Sequence, residues 1–280
     1  MNTRTMKTWR WVAVAVGVTL GGGEALAVMP VPPAGQQSPV AVEWGATLKK
    51  EFFKDQEVKE DKEVIDLETP YRAEDAALTP IAIHARIPQQ PGRYIKTLYL
   101  IVDKNPQPLA AVFQLTPEMG RADLSLRIRI NQYTYVRAIA VLNNGEHHMV
   151  ANFVKAQGGC SAPLGSDLDR AMARIGQMRF RILEEVGDKD LLAGQLQVSH
   201  PNITGLQMDQ RTRTIHPPHF VKSLKVSYNG KPLLTAELGI AISEDPSFRF
   251  LFHPSGQGGK LEAEVVDSKG QRWAKSFEVK

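Results

Sequence analysis

Residues 122–130, ADLSLRIRI, alternate apolar and polar side chains without a break. A period of two is what a strand with one covered face requires. Leu124, Leu126, Ile128 and Ile130 are therefore expected to face inward, and Ser125, Arg127 and Arg129 outward. Similar short runs recur at 81–86, 94–102, 109–115, 134–142 and 146–154, and again at 191–200, 220–228, 232–238, 248–252, 260–266 and 272–279. Turn chemistry separates them, as in Asn143-Asn144-Gly145 and Asn229-Gly230. The spacing leaves no room for crossover helices, which excludes a parallel α/β sheet and predicts an all-β protein of sandwich type. Two short helices are expected. One covers 44–54 with Trp44, Leu48 and Phe52 on one face; the other starts at Ser166 as N-cap and continues through Leu168, Met172 and Ile175.

The N-terminus reads as an export signal. Lys7 and Arg10 precede the uncharged run 11–23, and Ala25-Leu26-Ala27 is an A-x-A cleavage site. The run is too short for a membrane helix, which needs about 20 residues. Cleavage is expected after Ala27, and the chain is expected to work in the periplasm. Arg4, Lys7 and Arg10 against Glu24 account for half of the net charge of +4. What remains is nearly neutral, which argues against a nucleic-acid or anionic-membrane binder.

Export makes the cysteine count informative. Structural cysteines in oxidising compartments come in pairs, and this chain has only Cys160. A lone cysteine is buried and inert, bonded to another molecule, or kept as a reactive thiol. Cys160 follows Gly158 and Gly159 and precedes Ser161, all small residues just past a strand. Glycine's backbone freedom makes this a thin carrier arm, with the thiol expected to be displayed to solvent. A thiolate exchanges sulfur reversibly, as a serine cannot. The histidines give no H-E-x-x-H motif. Strand neighbours His147 and His148 point to opposite faces, and His216-Pro-Pro-His219 is the only other close pair. No metal site, cofactor or catalytic constellation is expected. Gly21-Gly22-Gly23 lies in the leader and 256–259 in a strand connection, so no phosphate loop is present. Asp209–Arg213, Arg127 and Arg129 read as solvated faces or partner contacts.

The first strand series resembles the Y subunit of the SoxYZ sulfur-carrier complex. The matching stretches are 94–100 (YIKTLYL), 104–109 (KNPQPL), 113–117 (FQLTP), 120–125 (GRADLS) and Gly158-Gly159-Cys160. The second series resembles the Z subunit at 199–201 (SHP), 205–209 (GLQMD), 218–220 (PHF), 228–232 (YNGKP), 241–243 (AIS), Pro246 and 267–270. The resemblance implies two immunoglobulin-like β-sandwich domains joined by a loop and a short helix. The implied boundaries are 1–27 (signal peptide), 28–69 (lead-in), 70–156 (SoxY-like sandwich), 157–190 (carrier-cysteine loop and linker) and 191–280 (SoxZ-like sandwich). It also implies a non-enzymatic carrier that holds sulfur-containing or other thiol-reactive groups covalently on Cys160. Its partners would be periplasmic sulfur-oxidation enzymes or cytochromes, or a quinoprotein (PQQ) dehydrogenase system, and a disulfide-linked dimer through Cys160 is possible. Two-chain carriers end in a Gly-Gly-Cys-Gly-Gly-like tail. Here Cys160 is internal and followed by Ser161-Ala162-Pro163, which tethers the arm and shortens its reach. The alternative is an accessory protein that docks a quinoprotein dehydrogenase, with Cys160 incidental.

Overall fold

Alternating apolar residues and tight turns build a succession of antiparallel strands. A computed structural model describes residues 44–164, 167–183 and 190–279. The leader therefore lies outside the described residues. A π turn at Trp44–Leu48 runs into helix α1 (Lys49–Phe53). Then come β1 (Lys59–Glu60), β2 (Ile65–Glu68), β3 (Thr79–Ala85), β4 (Ile95–Val102), β5 (Leu109–Leu115), β6 (Leu124–Ile128), β7 (Thr134–Leu142) and β8 (His147–Val154). After α2 (Leu168–Ala173) follow β9 (Met178–Leu183), β10 (Leu192–Val198), β11 (Val221–Tyr228), β12 (Lys231–Leu238), β13 (Ser247–Phe252), β14 (Gly259–Asp267) and β15 (Arg272–Val279).

The strands form two sheets, and both run across the two strand series. One has the order β1-β8-β7-β4-β5-β12-β11-β14-β15, the other β2-β3-β6-β13-β10-β9. The crossings are β5 with β12, where Phe113 stands opposite Ala236, and β6 with β13, where Leu124 stands opposite Phe250. One hydrophobic core fills the space between the sheets from Val64 to Val279. At its centre Phe113 and Phe248 meet edge to face, 6.4 Å apart, one from each series. The protein is all-β with two immunoglobulin-like sheet bodies, and these share ladders and core.

Several local expectations need correction. Phe53, not Phe52, is the buried phenylalanine of α1, beside Trp44 and Leu48. Strand β9 pairs with β10 inside the segment expected to be linker. Its arginines at 179 and 181 obscured an alternation whose apolar members are Met178, Phe180 and Ile182. Ser166 lies outside the described residues. The N-cap of α2 is Asp167, whose Oδ1 accepts from Asp169 N–H at 2.9 Å and Arg170 N–H at 3.3 Å.

A buried ion pair anchors the outer face of the larger sheet. Arg137 on β7 donates through Nε and Nη2 to Asp103 at 2.9–3.0 Å. Its guanidinium lies 4.7 Å from the Trp44 ring and 5.2 Å from the Tyr135 ring.

Candidate functional site: a closed thiol at the seam

Beyond β8 the chain turns back along the end of β6. Gly158 N–H donates to Asn131 O and Gly159 N–H to Ile130 O, both at 2.9 Å. A Cβ on Gly159 would overlap the carbonyl oxygens of Ala76 and Ile130. Glycine is therefore required here for close backbone approach rather than for freedom to move. Gly158 has φ +77°, the left-handed region that glycine enters without strain.

Residues of the second strand series hold the loop from the other side. Thr204 Oγ1 donates to Cys160 O at 2.7 Å, and Gln207 Nε2 donates to Ala162 O at 3.0 Å. Gln207 Oε1 accepts Thr204 N–H at 2.9 Å, locking the two clamp residues together. Ser161 is exposed, and its N–H returns to Gly158 O at 3.2 Å.

Cys160 has 0% of its surface exposed. This corrects the expectation of a displayed thiol on a supple arm: the arm is pinned and the sulfur is closed in. Burial pushes the thiol pKa up to about 11, with the nearby Arg129 cation pulling against the rise. A thiolate fraction of only about 10⁻⁴ at pH 7 follows. A disulfide between two copies also requires the loop to open first.

Arg129, expected to face solvent, is 1% exposed. Arg129 lies just past β6, where Ile128, Arg129 and Ile130 are buried in succession, so the alternation expected over 122–130 ends at Ile128. Arg129 N–H donates to Ala241 O at 2.7 Å, and Asn105 Nδ2 donates to Arg129 O at 2.8 Å. Its Nη1 donates to Gly159 O at 3.2 Å, while Nε and Nη2 have no hydrogen-bond partner among the described residues. Arg127 is half-buried and reaches Asp245 O at 3.2 Å. Asp209 is partly exposed and residues 210–213 are exposed, as expected.

A buried histidine pair supports the clamp. His219 Nε2 lies 2.7 Å from Asp267 Oδ2, and His200 Nε2 lies 3.8 Å from the same oxygen. Asp267 Oδ1 accepts the Gln271 and Lys269 amides at 2.8 and 2.9 Å. Burial raises the Asp267 pKa, but its hydrogen bonds outweigh this and leave it lowered. Burial and the neighbouring His219 push His200 down to about 4. The potential ligand atoms of the three residues lie within 4.8 Å of one another, a spacing compatible with a metal ion. Protonation opposes that use. Asn202 N–H donates to His200 Nδ1 at 3.0 Å, so the neutral ring carries its proton on Nε2 and has no lone pair to offer there. The cluster is better described as a hydrogen-bonded pin. Ile203 and His219 exchange backbone bonds at 2.7 and 2.9 Å, which places the adjacent Thr204. The pairs singled out in the sequence do not act together: His216 approaches Asp209, His147 packs on Phe53, and His148 turns inward to Asp61.

Fold and site together define a two-part immunoglobulin-like β protein built around one thiol held at its seam. Residues 49–160 match the family model of sulfur oxidation protein SoxY, and residues 180–278 match that of sulphur oxidation protein SoxZ. The chain belongs to the SoxYZ sulfur carriers of sulfur oxidation, with SoxY and SoxZ domains fused, and these are non-catalytic carrier proteins. Among solved structures, the sulfur carrier protein SoxY from Chlorobium limicola f thiosulfatophilum is 21% identical, with a TM-score of 0.33 over 39% of this chain and 88% of that one. Superoxide reductase (neelaredoxin) from Ignicoccus hospitalis is 13% identical, with a TM-score of 0.29 over 33% of this chain and 79% of that one. A β-glycosidase from Bacteroides vulgatus is 11% identical, with a TM-score of 0.23 over 78% of this chain and 25% of that one. No curated protein matches the chain. No helix among the described residues is long and apolar enough to cross a membrane.

Proposed function

We propose that this chain is a periplasmic carrier that holds sulfur-containing groups covalently on Cys160 and presents them to sulfur-oxidation enzymes. The carrying observation is where the match to SoxY ends: its last residue is Cys160, the chain's single cysteine, at the seam with the SoxZ part. Gly158, Gly159 and Ser161 form the arm. The thiol is stored closed and reached by local opening. Opening breaks the bonds from Gly158, Gly159, Arg129, Thr204 and Gln207 described above. At about 1 kcal/mol net each, these hold the open form near one molecule in several thousand. A partner enzyme that binds the open form supplies the difference. Closure then shields a labile adduct from stray thiols in transit.

A second reading makes the protein an accessory of a quinoprotein dehydrogenase, with Cys160 incidental. The buried, weakly acidic thiol favours it. One experiment separates the two. Protein purified from its host without reductant is weighed intact, and Cys160→Ser is tested for growth on reduced sulfur compounds. The carrier reading expects an added sulfur-containing mass on Cys160 and loss of that growth. A bare thiol with an unaffected Cys160→Ser strain overturns it.

A further inference from the structure

We propose that Arg129 is the anion receptor for the group borne by Cys160, and so the residue that makes the closed site retain oxyanion-terminated adducts over neutral ones. The inference rests on the carrier reading and adds a specificity-determining residue to it.

The case starts from an imbalance. Buried charges in proteins are paired, because an unpartnered one forfeits its hydration without return. Arg129 is fully buried, yet only one arm of its guanidinium is engaged, and that with the Gly159 carbonyl next to the carrier cysteine. Nε and Nη2, one edge of the fork, have no partner among the described residues. Burial pushes the arginine pKa down, and Glu244, Cys160 and Asp75 pull it back through space. No carboxylate of the described residues reaches that free edge, and Asp75 spends Oδ1 on Ala77 N–H at 2.7 Å. The neighbouring thiol does not neutralise the cation either, since it is protonated at neutral pH. The free edge of a guanidinium presents two parallel N–H donors, the geometry that takes a tetrahedral or planar oxyanion in a bidentate grip. A terminal sulfonate on Cys160 supplies both the missing charge and the missing acceptors. A neutral adduct supplies neither.

Two reagents of known chemistry test this on the purified full chain. Tetrathionate reacts as the Cys160 thiolate attacks one of its central sulfurs. The central S–S bond breaks, thiosulfate leaves with the electron pair, the thiol proton passes to buffer, and Cys160 keeps an S-thiosulfonate. Cys160 is oxidised and tetrathionate reduced. A neutral disulfide, 4,4′-dithiodipyridine, leaves an uncharged thiopyridyl adduct with release of thiopyridone. Each adduct is then removed by excess 2-mercaptoethanol at pH 7, and its lifetime is followed by intact mass. In the wild type the thiopyridyl adduct is expected to outlive its Arg129→Gln counterpart by no more than about fivefold, the effect of one lost loop bond, and the thiosulfonate to outlive its own counterpart at least about tenfold more than that.

Equal lifetimes in wild type and variant overturn the assignment. So does an equal loss for both adducts, which would make Arg129 a loop fastener acting only through Gly159. A wild-type Cys160 that accepts neither reagent overturns the carrier reading and this inference with it. Should Arg129→Gln fail to fold, ¹⁵N-labelled wild type decides. The buried arginine Nε–H resonance moves on forming the thiosulfonate and stays put with the thiopyridyl group; the reverse pattern, or no movement with either, sinks the proposal.

Discussion

Two arginines lie in the interior, one at the outer sheet and one at the seam, and the molecule treats them in opposite ways. Arg137 is gripped by both oxygens of Asp103 and sandwiched near Trp44 and Tyr135. Arg129 bonds through one arm of its guanidinium to the carbonyl of Gly159, next to Cys160 in the chain, and among the described residues its other edge is idle. The first is a completed ion pair, fixed by the sheet. The second is a half-filled valence where the two matched families meet. A completed pair serves the fold, whereas an incomplete one, kept in a place that is costly to leave unsatisfied, has a visitor in prospect.

The largest test of this contrast is at the completed pair. Asp103→Asn removes the carboxylate and leaves the Arg137 cation buried, which is expected to cost about 3–5 kcal/mol in urea unfolding. A loss under about 1 kcal/mol would erase the distinction between the two arginines.

A buried group that stays uncharged extends the comparison. His200 titrates near 4 in the fold, against an ordinary value of 6.5. The unfolded chain therefore takes up a proton that the folded chain refuses, and stability falls as pH drops from about 6.5 to about 4. The expected loss is on the order of 3 kcal/mol. Asp267, also lowered, adds a further loss below its ordinary 3.8. Unfolding curves collected from pH 7 to 4 should show this slope, and His200→Asn should flatten it. An unchanged slope in the variant would remove His200 as its source.

Smaller effects belong to the seam. Thr204→Val deletes the donor to Cys160 O and should release about 1 kcal/mol of loop closure, making thiol labelling of Cys160 roughly fivefold faster. Labelling at the wild-type rate would show that Thr204 does not hold the loop shut. The smallest change is expected from Arg129→Met. Exchanging an underpaired buried cation for an apolar chain should leave stability within about 1 kcal/mol of wild type. A penalty matching that of Asp103→Asn would make Arg129 a structural residue after all.

Strands were the legible part of the sequence, because a period of two is a local property. The strand expected at 109–115 is β5, and that at 134–142 is β7. Alternation holds through β6 and fails just beyond it, at Arg129. What alternation does not carry is that Arg129 is enclosed, since its main chain and side chain bond to Ala241 and Gly159, both remote in sequence. Gly158-Gly159 invited a similar misreading. Glycine next to a functional residue suggests slack, yet at 159 it permits a fit against Ala76 O that no other residue would tolerate. The clamp and pin were out of reach for the same reason. His200, Thr204, Gln207 and His219 share the long connection between β10 and β11 while Asp267 ends β14, and only the tertiary fold brings them together beside residues 160–162. The motifs at 199–201, 218–220 and 267–270 supplied the one available signal, their shared resemblance to SoxZ. Nothing local announced that β5 would seek β12, because an edge strand and an inner strand read alike.

That last pairing bears on what the covalent join between the halves is for. Split at the segment between Cys160 and Met178 and produced as separate polypeptides, each half would emerge with two raw ladder edges, at β5 and β6 in one and at β12 and β13 in the other. Naked edges recruit whatever strand is nearest, including copies of themselves. Synthesis as one continuous chain gives every new first half its own second half at guaranteed one-to-one stoichiometry, so misassortment is suppressed while the chain folds.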